Sequence, residues 1–137
     1  MEPATISKEL VFTGDRAAMI VARDTIMDFV RDYCSSEQEE IDILLALQEA
    51  LANAVLHGSK SDPSKTIHCR VDIDPSAIVI VVRDSGPGFD LAAVDAAGPN
   101  LTEHGRGITM MKSLMDEVSY SRGGSEVQLK KFRATKQ

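Results

Sequence analysis

The chain has 137 residues, with 15 Lys plus Arg against 21 Asp plus Glu, which gives a net charge of −6. This length predicts one domain over residues 1–137, and 43% hydrophobic with 26% charged residues is typical of a folded soluble protein. The acidic balance argues against direct nucleic-acid binding, which relies on basic surfaces, and an aromatic content of 4% leaves little for base stacking.

No apolar run approaches the ~18 residues that a membrane span requires, and residues 1–5 lack the basic and apolar regions of a signal peptide. The sequence therefore predicts a cytoplasmic protein with no membrane partner. In that compartment Cys34 and Cys69 are expected to be reduced core residues rather than a disulfide. Three scattered histidines and no CxxC pair argue against a structural zinc site.

The predicted elements begin with a short strand at 8–13, which two amphipathic helices follow. Asp15 is a candidate N-cap for the first helix, about 15–33, whose apolar residues recur at helical spacing. Ser36, with a glutamate three residues later, is a capping-box signal for the second helix, about 37–57.

A hairpin is predicted next. Residues 67–73 alternate between apolar and polar side chains, which indicates a strand with one wet face. After a short turn, the unbroken β-branched run at 78–82 predicts a strand that is buried on both faces. The glycines and prolines of 84–104 predict a mostly irregular segment.

A third helix at about 105–115 and two closing strands, 117–122 and 125–132, complete the predicted chain. The resulting order is β-α-α-β-β-loop-α-β-β. Because hairpins join neighbouring strands, this order favours an α+β sandwich over a doubly wound parallel sheet.

Three short stretches carry residues suited to chemistry. In the first, Glu49, Asn53 and His57 recur at i, i+4 and i+8, so they form a polar stripe beside the apolar face of the second helix. A glutamate there could act as a general base, and the asparagine carbonyl is a hard oxygen ligand for Mg²⁺. The alternative is the solvated flank of an amphipathic helix.

The second stretch is Asp84-Ser-Gly86-Pro-Gly88, directly after the β-branched strand. A carboxylate at the end of a central strand can accept a hydrogen bond from a ligand amine, and the glycines permit close backbone approach. An ordinary turn after a strand is the alternative.

The third stretch, Gly105-Arg106-Gly107-Ile108, lies at a predicted helix start. Free N–H groups and the positive dipole end at that position suit a phosphate, and Arg106 adds charge. A flexible loop before a helix is the alternative.

Together, the order and spacing of the three stretches resemble the N, G1 and G2 boxes of the GHKL ATPase superfamily. They are most similar to its small stand-alone branch, the bacterial anti-sigma-factor serine kinases. Residues 124–131 also resemble the closing strand of that branch, with Ser125 where a threonine is more usual. The resemblance covers about residues 8–132. It implies the Bergerat ATP-binding fold, a two-layer α/β sandwich whose mixed, mostly antiparallel sheet carries helices on one face.

The resemblance also implies a role for each matching residue. Asp84 would accept the adenine amino group, with Ser125 near the adenine. Asn53 would ligate the Mg²⁺ that bridges the phosphates, and Glu49 would be the general base. Residues 95–107 would form a lid over the ATP. The predicted ATP-binding residues are Asn53, His57, Asp84, Gly86, Gly88, Gly105, Arg106, Gly107, Ile108 and Ser125.

The function implied is an ATP-dependent partner-switching regulator. It would sequester a sigma factor and phosphorylate a Ser or Thr on a STAS-type anti-anti-sigma antagonist, and the resemblance allows a homodimer. The alternative is a nucleotide-gated binding module with little or no kinase activity, against which Glu49 argues. A histidine kinase is disfavoured because the chain is short and His57 lies inside the N box, and a simple ATP hydrolase would need a water-positioning device that the sequence does not reveal.

Overall fold

The computed structural model of the chain describes residues 5–88 and 103–133, with the backbone alone at 103–106. Its helices and strands run in the predicted order. They are β1 (Ile6–Thr13), α1 (Arg16–Val30), α2 (Glu37–Asn53), β2 (Thr66–Ile73), β3 (Ala77–Arg83), α3 (Glu103–Leu114), β4 (Glu117–Ser121) and β5 (Glu126–Phe132). Short 3-10 turns follow α1 and β4, and a π-helical turn, Ala54–Ser59, follows α2.

The strands form one five-stranded sheet in the order β1-β2-β3-β5-β4, and each described pairing is antiparallel. The predicted hairpin is present, with Ile73 opposite Ile78 across the turn. β5 inserts between β3 and β4, so that Arg83 at the end of β3 lies opposite Glu126. The α+β class and the antiparallel sheet agree with the predicted fold.

Both predicted helix starts are capped as the sequence indicates. The Asp15 carboxylate accepts the N–H of Ala18 at 2.8 Å. The Ser36 hydroxyl accepts the N–H of Glu39 at 3.1 Å, and the Glu39 carboxylate accepts the N–H of Ser35 in return. These bonds satisfy donors that a helix leaves without internal partners, which fixes where α1 and α2 begin.

The core lies between the helices and one face of the sheet. From β3 it receives Ile78, Ile80 and Val82, which are at most 2% exposed. Val79 and Val81 are only partly buried, because they project from the face that the helices do not cover. The prediction that this strand is buried on both faces is therefore wrong, and the β-branched run reflects strand propensity as well as burial.

The long apolar stretch Glu37–Ser59 is explained by this core. Its 23 residues would suffice in length and composition to cross a membrane. However, Ile43, Leu47 and Leu51 are 0% exposed between the sheet and the neighbouring helices. The apolar residues of α2 therefore have a structural role inside the domain.

The two cysteines are free thiols, as predicted. Cys69 is buried on β2, and burial raises its pKa to about 12. Cys34 follows α1, and burial raises its pKa to about 11. Because the thiolate is the reactive form, both side chains are suited to packing rather than to redox chemistry.

The C-terminal end of α3 is anchored to the rest of the domain. The Lys131 ammonium donates to the Leu114 carbonyl at 2.6 Å and lies 3.4 Å from an Asp42 carboxylate oxygen. Directly after the helix, the N–H of Asp116 donates to the Lys130 carbonyl at 2.9 Å. One lysine on β5 thus ties the end of α3 to α2.

Candidate functional site

A cleft opens between the C-terminal part of α2 and the adjoining ends of β3 and β5. It has a volume of about 440 Å³, counted out to its open mouth. The lining residues are Ala50, Asn53, Ala54, His57, Gly58, Val82, Asp84, Gly88, Tyr120, Gly124, Ser125 and Val127. Residues from the first two predicted stretches and from the closing strand therefore meet at one place.

The π-helical turn shapes the helical wall of this cleft. After Asn53 the backbone passes from α-helix into the π-turn, which places His57 and Gly58 on the lining. The turn ends at Lys60 in the left-handed region, with φ 54°. Inside it, the buried Ser59 hydroxyl lies 2.7 Å from the Gly14 carbonyl, a contact that joins the turn to the start of α1. Single π-turns within helices occur frequently at functional sites.

Asp84 stands at the opposite wall, one residue after β3. Its backbone N–H donates to the Ser125 carbonyl at 2.9 Å, and one carboxylate oxygen accepts the N–H of Gly86 at 2.8 Å. Burial raises the pKa of this carboxyl above its ordinary value, although the Gly86 N–H opposes the shift. A half-buried acceptor next to apolar walls suits a ligand that offers an N–H donor.

Close backbone approach explains two glycines of the motifs. A Cβ at Gly58 would overlap the Asp84 carboxyl group, and a Cβ at Gly86 would overlap the Gly58 backbone. The π-turn and the loop after β3 can therefore touch only if both positions lack a side chain. Gly88, at φ 74°, continues this loop along the cleft.

Ser125 lies at the end of the turn between β4 and β5 and lines the cleft. It is 9% exposed, and its hydroxyl donates to the Arg122 carbonyl at 3.0 Å. Its carbonyl holds the Asp84 N–H, so these two predicted residues are direct neighbours. The Ser125 hydroxyl is engaged by its own turn, at the edge of the cleft.

Glu49, one helical turn before Asn53 on α2, has different surroundings. Asn53 lines the cleft, whereas Glu49 lies against α3, where a Cβ at Gly107 would overlap its carboxylate. Tyr120 is close by: burial raises the pKa of its hydroxyl, and the negative charge of Glu49 raises it further. The polar residues predicted on α2 therefore face two different parts of the fold: Asn53 faces the cleft, and Glu49 faces α3.

The third predicted stretch lies within α3 rather than at its edge. The helix begins at Glu103, two residues before the predicted start, so Gly105 and Arg106 are its third and fourth residues. Counted from the N-cap, the first four N–H groups of an α-helix have no partners within the helix, so the N–H of Gly105 belongs to that set and the N–H of Arg106 does not. Ile108 is 5% exposed and packs in the core instead of lining the cleft. The predicted lid falls largely on residues 95–102, outside the described chain.

Sequence reasoning missed the sheet side of the cleft. Tyr120 pairs with Val127 across β4 and β5, and both face the helices together with Val82 of β3. Their alternation along the strands is a usable signal. The strand order could not be predicted from this alternation. β5 lies between β3 and β4, and this order brings the three side chains next to Asp84.

Comparison with known proteins identifies the relatives of this chain. The histidine kinase-like ATPase domain matches residues 12–131. The anti-sigma F factor of Geobacillus thermodenitrificans is 34% identical over 123 residues, covering 82% of this chain and 83% of that protein. The anti-sigma F factor of Geobacillus stearothermophilus is 33% identical over 124 residues, with 85% of each chain covered. That of Clostridium perfringens is 30% identical over 118 residues, covering 80% and 84%. The chain therefore belongs to the histidine kinase-like ATPase domain family.

Proposed function

We propose that this chain is an anti-sigma-factor serine/threonine protein kinase. It would sequester a sigma factor in one state and, in the other, use ATP to phosphorylate a STAS-type anti-anti-sigma antagonist in the cytoplasm. The observation that carries the proposal is the cleft in which Asn53, Asp84 and Ser125, from three separate segments, meet. Relatives named anti-sigma F factor, with most of each chain covered, support the regulatory part.

The adenine end of the cleft fits the sequence-based roles. Val82, Val127 and Ala54 provide apolar walls, and Asp84 provides an acceptor between them. A purine ring needs both features, because its faces are apolar and its amino group is a donor. Asp84 would accept the 6-amino group of adenine, whereas guanine would place a carbonyl oxygen there.

The phosphate end rests on Asn53 and on the first turn of α3. Within the described residues, no group of three or more His, Cys, Asp or Glu side chains is placed to hold a metal ion. Mg²⁺ in phosphoryl-transfer sites needs few protein ligands, since it binds phosphate oxygens and retains water. The amide oxygen of Asn53 would complete that coordination, and the N–H group of Gly105 would face the phosphates.

The transfer itself needs one proton acceptor. The hydroxyl oxygen of the antagonist's Ser or Thr would attack the γ-phosphorus as the bond to the ADP oxygen breaks. The hydroxyl proton would pass to the Glu49 carboxylate. The presence of Glu49 speaks against a binding module without kinase activity, because such a module would not require a base. A homodimer of this chain is also part of the proposal.

The experiment is affinity capture from the native cytoplasm with the full chain, in the presence of ATP–Mg²⁺, of ADP–Mg²⁺ or of neither. We expect two different partners, with a phosphorylated Ser or Thr on one of them only when ATP is present. Asp84→Asn should shift the nucleotide dependence to higher ATP concentrations, whereas Asp24→Asn, on the exposed side of α1, should not. Identical captures under all three conditions, with no new phosphosite, would refute the proposal.

A further inference from the structure

Glu49 occupies a slot on the α3 side of the site. A Cβ built on Gly107 would overlap Glu49 Oε1 and would lie 3.0 Å from Cδ and 3.3 Å from Cγ. The whole end of the Glu49 side chain therefore runs along the backbone of α3 at this residue. With a side chain at position 107, the end of the Glu49 side chain would have to move from this place.

A glycine at this point is otherwise unfavourable for the helix. Gly107 lies inside Glu103–Leu114, where glycine destabilises a helix relative to alanine because it loses more backbone entropy. The residue is buried where α3 packs against α2. The Glu49 carboxylate fills the space left by the missing side chain. The glycine thus lowers the stability of the helix but makes room for this contact.

One residue of the sheet lies within electrostatic range of the slot. Tyr120 projects from β4 toward the helices, where it lines the cleft. The charge of Glu49 acts on its hydroxyl, so the carboxylate is near the tyrosine as well as near α3. Glu49 thus lies against a helix backbone, within electrostatic range of a partly buried tyrosine.

We propose that Gly107 is a positioning residue that acts through Glu49. By leaving room for the carboxylate, it sets the direction in which the proton acceptor of the proposed kinase points. This inference rests on the proposed function, and it differs from the phosphate contact that the sequence resemblance implies for the same glycine. It also couples the two parts of the site, because a movement of the first turns of α3 must move the carboxylate.

A double-mutant cycle on the full-length protein tests the contact without any partner. In Glu49→Ala the slot is empty, so adding Gly107→Ala should raise the melting temperature by several degrees, as a Gly-to-Ala change inside a helix does. In the wild-type background, Gly107→Ala should raise the melting temperature by at least 2 °C less. In the Glu49→Asp background, where the side chain is one methylene shorter, the rise should lie between these two values. Equal gains in all three backgrounds would overturn the proposal.

A spectroscopic measurement separates positioning from phosphate binding. In the protein without nucleotide, where no phosphate is bound, the carboxyl ¹³C resonance of Glu49, assigned by its loss in Glu49→Gln, should move in Gly107→Ala. Ser113→Ala, at an exposed position on the same helix, should not move it. An unmoved Glu49 resonance in Gly107→Ala would overturn the proposal.

Neither measurement depends on kinase activity. If Glu49→Gln proved to transfer phosphate normally to the captured antagonist, the proposed base would be wrong. The double-mutant cycle of melting temperatures and the ¹³C resonance of the Glu49 carboxyl would still show whether Gly107 positions Glu49. Failure of the inference and failure of the proposed function are therefore distinguishable.

Discussion

Replacing Asp84 with asparagine tests the nucleotide site directly. The new side chain keeps nearly the same shape, and its amide oxygen can still accept the Gly86 N–H that the carboxylate accepts at 2.8 Å. That bond fixes the orientation, so the amide nitrogen must take the place of the second oxygen, beside Gly58. A donor would then face the adenine amino group, which is also a donor.

The expected loss follows from that mismatch. A buried polar group left without its partner costs about 1–3 kcal/mol. At about 1.4 kcal/mol per tenfold change, the dissociation constant for ATP should rise about 5- to 140-fold. The folded apoprotein should not be weakened, because the half-buried Asp84 carboxylate carries a desolvation penalty that the neutral amide lacks.

Calorimetric titration of Asp84→Asn with ATP–Mg²⁺ measures this loss, and Asp24→Asn is the matched control on α1. Thermal unfolding of both variants without nucleotide checks that the fold is intact. Wild-type protein should also prefer ATP to GTP by a similar factor. If Asp84→Asn bound ATP within twofold of wild type, or if GTP bound as tightly as ATP, the adenine contact assigned to Asp84 would be refuted.

Three further predictions follow from the same geometry. Glu49→Gln should leave ATP affinity within a few-fold but slow transfer to the antagonist by roughly 10²–10⁴, whereas Asn53→Ala should weaken both; single-turnover assays and calorimetry separate them. Because the folded-state pKa of Asp84 is raised, its contribution to apoprotein stability is lost as pH rises from about 3.8 through that raised value, so the free energy of unfolding of Asp84→Asn minus that of wild type should increase over this window in urea unfolding series. Lys131→Met should lower the free energy of unfolding by about 1–3 kcal/mol, because Asp42 and the last carbonyl of α3 lose a mostly buried donor; an unchanged denaturation midpoint would contradict this.

The sequence was sufficient for features that local rules determine. Capping at Asp15 and Ser36, and the alternation over 67–73, depend on neighbours within a few residues, and the structure has each of them. The two stretches around Asn53 and Asp84 also meet as the motif resemblance implied.

The remaining features depend on contacts between distant segments. The π-turn after Asn53 is joined to the chain near Gly14 by Ser59, and no local pattern predicts that contact. The partial exposure of Val79 follows from helices on a single face, which strand propensity cannot reveal. The turn of Glu49 toward α3, away from the cleft lining, likewise depends on how α2 and α3 pack.

The lysine anchor at the end of α3 restricts how that helix can move. The hydrogen bond from Lys131 to the Leu114 carbonyl opposes sliding of the helix along its axis more than a tilt about its C-terminal end. Gly107, which contacts Glu49, lies about 10.5 Å along the helix axis from Leu114, so a tilt of about 5° would carry it through about 0.9 Å. A shift of that size is comparable to the misplacement of about 1 Å that can slow a reaction about 100-fold. Because the far end of α3 is anchored by Lys131, a small change in the angle of the helix would shift Gly107 against the Glu49 carboxylate.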